Sequence, residues 1–138
     1  MIDTNIVLDL LVFRDPAAAP LSEALGARRL AWLATDAMRE ELARVLGYPH
    51  LAARLARDGG SAEGVLALFD DWSQRVEAAP RAMFVCGDAD DQKFIDLAVT
   101  HAAMLISKDR EVLRMARRLA RLRVATVRAW APTPGAPA

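Results

Sequence analysis

The amino-acid sequence predicts an α/β fold in which helices cover both faces of a central, mostly parallel sheet of four to five strands. Short apolar, β-prone segments alternate with longer segments of helical periodicity, which is the pattern of repeated βα units. The length of 138 residues suits one domain with its own core. No apolar run approaches the roughly 20 residues that cross a bilayer. We therefore expect one domain over residues 1–130 and no membrane span.

The predicted strands are all short. They are Ile2–Thr4, Leu30–Ala34, Met83–Cys86, Met104–Ser107 and Val124–Val127. Only two residues precede Asp3, so we expect either a stub of a first strand or a start that lies a few codons late.

Capping residues indicate where the helices begin and end. Asp15-Pro16 is typical of a helix start, and Thr35 or Asp36 caps a helix that ends near Gly47. The Gly59–Ser61 segment closes one helix and opens another, which is predicted to run to about Val76. Residues 131–138 are rich in proline and small residues, so we expect a disordered tail.

The cysteine count and the net charge exclude several classes of protein. Cys86 is the only cysteine, which excludes an internal disulfide and a thiolate-rich zinc site. Together with the lack of a secretory signal pattern, it predicts a cytoplasmic location. The net charge of zero argues against a protein that coats nucleic acid by bulk attraction. Arginines nevertheless concentrate between Arg110 and Arg123, either as a phosphate-binding flank or as a solvated helix face.

Two aspartates lie at the carboxyl ends of predicted strands. Asp3 ends the first strand and Asp109 follows Met104–Ser107. Because ligands collect beyond the carboxyl ends of parallel strands, both side chains are expected to face one crevice.

Helical periodicity selects two more acids. On a wheel that starts at Met38, Glu41 lies at roughly 300°, at the margin of the apolar stripe, whereas Glu40 lies at roughly 200°, in solvent. Asp91 lies in the first turn of a later helix. With Asp91 at zero on the wheel of that helix, Ile95 and Ala98 lie at roughly 40° and 340°, so Asp91 is in the middle of the apolar stripe. A carboxylate that faces a core is costly unless it is paired or binds a metal.

Four carboxylates without another ligand type favour Mg²⁺ or Mn²⁺. Neither histidine is placed to bind a metal, so His50 and His101 are interpreted as structural or surface residues. Without a cation the acids repel one another, which should raise at least one pKa and let metal binding stabilise the fold. Each acid taken alone also fits a turn former, a helix cap or a side chain that reaches water.

The motifs that carry these acids resemble those of a known family. Ile2–Asn5, Glu41–Leu46, Asp88–Phe94 and Leu105–Asp109 are similar, in order and spacing, to the motifs of PIN domains. The branch that they resemble contains toxin components of bacterial type II toxin–antitoxin systems. The resemblance covers roughly residues 1–128.

The resemblance implies a PIN-like three-layer α/β/α sandwich and Mg²⁺- or Mn²⁺-dependent endoribonuclease activity. It also implies RNA as substrate, a homodimer and an antitoxin protein as partner. Asp3, Glu41, Asp91 and Asp109 match the acidic metal ligands. Asn5 and Ser107 match supporting polar positions, although a helix cap and a plain strand hydroxyl are equally good interpretations.

The implied reaction is phosphodiester hydrolysis by metal-activated water that attacks in line. Glu41 is then either a ligand of a second ion or the base for that water. Lys108, Arg110 and Arg114 are candidates for binding flanking phosphates, the arginines as part of one helical stripe.

Three alternatives stay open. A catalytically weak PIN module would act in RNA binding or protein–protein interaction. A phosphatase that forms a phospho-aspartate would need an aspartate where Asn5 stands. A purely structural protein gives little reason to turn Glu41 and Asp91 inward.

Overall fold

A short first β-segment fixes the position of Asp3. In the computed structural model, which describes residues 1–132, Ile2 forms a parallel bridge with Ile106. The Ile106 amide donates to the Met1 carbonyl at 2.9 Å, and the Asp3 amide donates to the Ile106 carbonyl at 3.0 Å. These bonds hold Asp3 in place although the segment is only a stub.

Eight α-helices occur in the described part of the chain. They are α1 (Thr4–Leu11), α2 (Ala19–Gly26), α3 (Asp36–Leu46), α4 (Pro49–Arg57), α5 (Ala62–Trp72), α6 (Gln92–His101), α7 (Arg110–Leu113) and α8 (Ala116–Ala120). Several begin at the predicted caps: the hydroxyls of Thr35 and Ser61 accept bonds from the amides of Met38 and Gly64. Short 3₁₀ turns occupy Pro16–Ala18 and Ala89–Asp91.

All strand ladders among residues 1–132 are parallel, as predicted, and all are short. Strand β1 (Trp32–Ala34) pairs with β2 (Ser73–Arg75), and β3 (Leu105–Ile106) pairs with β4 (Thr126–Val127). The fold is therefore mixed α/β. The sequence predicted a continuous sheet of four to five strands, but the described residues contain only these two ladders and the Ile2 bridge. Each strand is only two or three residues long, which is too short to form a continuous sheet.

Two predicted elements are wrong. Met83–Cys86 is not a strand: Met83 is 77% exposed and Val85 57%, and side chains rather than a neighbouring strand bind its backbone. The helix that was predicted to reach Val76 ends at Trp72, where the Ser73 hydroxyl donates to the Phe69 carbonyl and β2 begins.

The core lies between the helices and the two ladders. Its fully buried side chains include Ile95 and Leu97 of α6, Leu105 of β3 and Leu119 of α8. Burying such apolar side chains is the main favourable contribution to folding.

Every helix within residues 1–132 falls short of the length and apolar character that a membrane crossing requires. The predicted disordered tail, 131–138, falls mainly on residues 133–138, which lie outside the described part of the chain.

Candidate metal centre

Asp3 lies buried at the carboxyl end of the first β-segment. The residue is only 3% exposed, and its Oδ2 accepts a hydrogen bond from the Ser107 hydroxyl at 2.7 Å. Burial raises the pKa of Asp3, with smaller contributions from the nearby charges of Asp109 and Glu41, although the Ser107 bond acts in the opposite direction.

Asp109 lies beyond the end of β3 and caps α7. Its Oδ1 accepts bonds from the amides of Glu111, at 2.8 Å, and Val112, at 3.4 Å. The Asp109 amide donates to the Ser107 hydroxyl at 3.1 Å. Ser107, fully buried, therefore links the two strand-end acids through one oxygen atom.

Asp91 ends the 3₁₀ turn and begins α6. It is 8% exposed, and its Oδ2 is buried without a hydrogen-bond partner among the described residues. Burial raises the pKa of Asp91 to about 7, and repulsion from four acids adds to this effect: Asp3, Asp109, Asp88 and Glu41. An unpartnered buried carboxylate oxygen is costly, so this position favours a ligand.

Three aspartates approach one another closely enough to share a cation. Asp88, Asp91 and Asp109 each offer a carboxylate oxygen, and these oxygens all lie within 4.8 Å of one another. We call these residues the acid cluster. Because carboxylates are the preferred ligands of hard divalent cations, and because Asp91, whose Oδ2 has no partner among the described residues, belongs to this cluster, the residues present fit such an ion.

Glu41 lies beside the acid cluster and is tied to two other residues. The Thr4 hydroxyl donates to its Oε2 at 2.6 Å, and Lys93 Nζ lies 3.2 Å from its Oε1. Lys93 also donates to the Asp90 carbonyl at 2.6 Å. The Glu41 side chain is 14% exposed, in contrast to the exposed Glu40, as the helical wheel predicted.

The remaining predicted residues lie around this centre. Asn5 is exposed on α1. Lys108 Nζ lies 2.7 Å from Asp9 Oδ2, and Arg114 Nη1 lies 3.0 Å from Glu111 Oε1, so each cation has an acidic partner. Arg110 is exposed at the start of α7.

The arginines of the predicted stripe do not lie on one continuous helix. The chain forms two short helices, α7 and α8, because the backbone tightens between them: the Met115 amide donates to the Val112 carbonyl, three residues back. Arg110 consequently lies on α7, and Arg117 and Arg118 lie on α8.

The structure places three further residues in or beside the metal centre that the sequence did not single out: Asp88, Lys93 and Thr4. Asp88 was not among the predicted ligands; it caps the 3₁₀ turn by accepting a bond from the Asp90 amide, and it also belongs to the acid cluster. Lys93 and Thr4 were not selected, although the lysine follows Asp91 by two residues and the threonine follows Asp3 directly. Their contacts with Glu41 join helices that are distant in the sequence.

Comparison with known protein families gives a match. A family model described as a PIN domain matches residues 1–111, a range that includes Asp3, Glu41 and all three residues of the acid cluster. Neither the comparison with curated proteins nor that with solved structures returns a match.

Proposed function

The chain belongs to the PIN-domain family, which suggests nuclease activity, and on this premise we propose that it is a metal-dependent endoribonuclease that hydrolyses RNA phosphodiester bonds. One observation carries the proposal: the buried, unpartnered Oδ2 of Asp91 within a group of carboxylates that has the chemistry of a divalent-cation site. A carboxylate that served only as a helix cap would not need this environment.

We assign the cation, Mg²⁺ or Mn²⁺, to Asp88, Asp91 and Asp109, with Asp3 and Glu41 beside them. A bound divalent ion supplies charge neutralisation at phosphorus and lowers the pKa of water. Asp3 and Asp109 keep their relative position through Ser107, whose hydroxyl bonds to both residues. Rigid support of this kind is what the site of a metal enzyme requires.

Glu41 has two possible roles in this proposal: a further metal ligand, or the base that takes a proton from the attacking water. The hydrogen bond from Thr4 and the ion pair with Lys93 hold its carboxylate in place for either role. Lys93 is half-buried at the edge of the acids, so its ammonium is suited to meet a substrate phosphate there.

We further propose that Lys108, Arg110 and Arg114 contact phosphates that flank the cleaved bond. Arg110 and Arg114 are exposed, on or directly after α7, whose N-cap is Asp109. Lys108 and Arg114 would exchange their contacts with Asp9 and Glu111 for contacts with RNA. Such contacts would position the RNA without reading its sequence.

The motif resemblance supports a narrower role as the toxin component of a type II toxin–antitoxin pair. The expected partners are then an antitoxin protein that covers the acids and a second copy of the chain. A short neighbouring gene for a DNA-binding protein, whose product co-purifies with this chain and suppresses its cleavage, would support this role. Full cleavage in the presence of that product would contradict it.

The decisive experiment measures cleavage of a fluorescent RNA by the purified wild type and by Asp91→Asn, with Mg²⁺, with Mn²⁺ and with EDTA. We expect cleavage by the wild type only with metal, and a loss of more than ~100-fold in the variant because a cation ligand is removed. Asp70→Asn, an exposed acid outside the centre, is the matched control and should keep its activity. RNA binding without metal-dependent cleavage would instead support the binding-only PIN module.

A further inference from the structure

An irregular segment leads into the acid cluster. Residues 76–88 connect β2 to the 3₁₀ turn that ends at Asp91, and they form neither helix nor strand. Connections of this length without regular structure are uncommon in compact domains unless they serve a function. Because the segment ends at Asp88, whatever holds it also determines where this carboxylate lies.

The carboxamide of Gln92 holds the end of this segment. The Cys86 amide donates to Gln92 Oε1 at 2.6 Å, and Gln92 Nε2 donates to the Phe84 carbonyl at 3.1 Å. One residue of a parallel neighbouring strand makes the same pair of bonds, through its own amide and carbonyl, to residues that are two apart. One buried side chain thus replaces a strand partner along Phe84–Cys86.

Asp96, one turn further along α6, completes the arrangement. Its Oδ1 accepts bonds from Gln92 Nε2 and from the Ala82 amide, both at 2.8 Å. Because a carboxylate only accepts hydrogen bonds, it fixes which end of the Gln92 carboxamide faces it. Gln92 and Asp96, which we call the loop clamp, therefore bind the segment at Ala82, Phe84 and Cys86.

A second contact reaches the same segment from α7. The Glu111 carboxylate lies so close to Gly87 that a β-carbon at this position would overlap it. Glu111 follows the cluster residue Asp109 by two positions and donates its amide to Asp109 Oδ1. Contacts with the segment thus come from α6 and α7, the two helices whose N-caps are Asp91 and Asp109.

We propose that the loop clamp positions the metal centre: Gln92 and Asp96 hold residues 82–86 so that Asp88 meets Asp91 and Asp109. This inference rests on the proposed function, because it assigns the clamp to the cation site. Neither residue belongs to the acid cluster, so both act through the carboxylate that they place.

The test compares full-length wild type, Gln92→Ala, Asp96→Ala and Asp96→Asn. Mn²⁺ affinity is measured by calorimetry, and protection of the Ala82 and Cys86 amides is measured by hydrogen exchange. We expect both alanine variants to bind Mn²⁺ ~10–100-fold more weakly, the range typical of supporting residues around a metal. Gln92→Ala should lose protection at Cys86, and Asp96→Ala at Ala82.

The conservative variant separates positioning from charge. Asp96→Asn leaves a carboxamide oxygen that can accept both bonds of the Asp96 carboxylate, so this variant should bind Mn²⁺ nearly as the wild type does. Ser73→Ala is the matched control, since it removes a bond from the Ser73 side chain to the Phe69 carbonyl of α5, outside the acid cluster. It should leave Mn²⁺ affinity unchanged.

Wild-type Mn²⁺ affinity in Gln92→Ala and Asp96→Ala would overturn the positioning role, as would an Asp96→Asn variant as weak as Asp96→Ala. If the wild type neither binds Mn²⁺ nor cleaves RNA, the proposed function is wrong. The amide exchange then decides the clamp separately, because equal protection of Cys86 in wild type and Gln92→Ala would overturn it.

Discussion

Two groups of acids on this molecule differ in the charges around them. In the acid cluster, Asp91 is buried and faces other carboxylates, and its pKa is raised to about 7. On the surface beside α3 and β2, Asp70 receives Arg39 Nε at 2.8 Å and Arg75 Nη2 at 2.8 Å, while Arg75 also contacts Asp36. The hydrogen bond from Arg39 lowers the pKa of Asp70.

The comparison shows that an acid indicates function through its surroundings rather than its identity. The surface group, which we call the arginine network (Asp36, Arg39, Asp70 and Arg75), already contains its own cations. Around the metal centre, Lys93 pairs with Glu41 and Arg114 pairs with Glu111, rather than with a residue of the acid cluster. A divalent ion is therefore expected at the first group and not at the second.

The largest difference between the two groups should appear when metal is added. We expect millimolar Mg²⁺ or Mn²⁺ to raise the thermal midpoint of the wild type by several degrees, because binding at about 100 times Kd adds about 2.7 kcal/mol. Asp91→Asn should lose most of this increase, whereas Asp70→Asn should keep it. Scanning fluorimetry with and without EDTA gives the values, and equal increases in all three proteins would place the ion away from the acid cluster.

A smaller difference should appear in the pH dependence of stability without metal. The folded-state pKa of Asp91, about 7, exceeds the ordinary aspartate value of 3.8, so folding takes up a proton between these values. The stability that the folded state gains by keeping Asp91 protonated is fully present below about pH 4 and is lost as pH rises through 7. Asp91→Asn removes this loss, so its stability relative to the wild type should increase by about 1 kcal/mol or more between pH 5 and pH 8.

Asp70 provides the opposite case in the same experiment. Its lowered pKa means that its contribution is present at neutral pH and is lost on acidification. Asp70→Asn should therefore be less stable than the wild type at pH 7, with the deficit shrinking toward pH 3. Urea unfolding in EDTA across this range measures both slopes. Parallel curves for the two variants would mean that the groups do not differ as the structure indicates.

The sequence predicted much of the centre because periodicity and strand ends are local signals. The inward orientation of Glu41 and the burial of Asp91 followed from a helical wheel, and both are observed. The family match confirms the PIN-domain resemblance, and the parallel pairing confirms the α/β class. The roles assigned to the individual acids stay predictions.

Other features depend on contacts that local patterns do not contain. Met83–Cys86 has the composition of a buried strand, but the Gln92 carboxamide takes the bonds that a strand would make. Ser73–Arg75 has weak β-propensity and still pairs with β1, because α5 ends there and directs the chain alongside it. The contact of Lys93 with Glu41 joins α6 to α3, which lie far apart in the sequence.

The smallest expected effect concerns the arginine network. Arg39→Gln removes two bonds to Asp70, yet Arg75 still contacts that carboxylate, and the arginine and aspartate are both more than one third exposed. We expect a loss of less than about 1 kcal/mol in the free energy of unfolding, and a smaller one in ~0.5 M NaCl, because water and salt screen exposed pairs. Urea unfolding at both salt concentrations measures it, with the exposed Arg57→Gln as control. A loss well above about 2 kcal/mol that salt does not reduce would mean that the arginine network supports the fold. The presence of neighbouring arginines would then no longer distinguish a group of surface acids from a functional site.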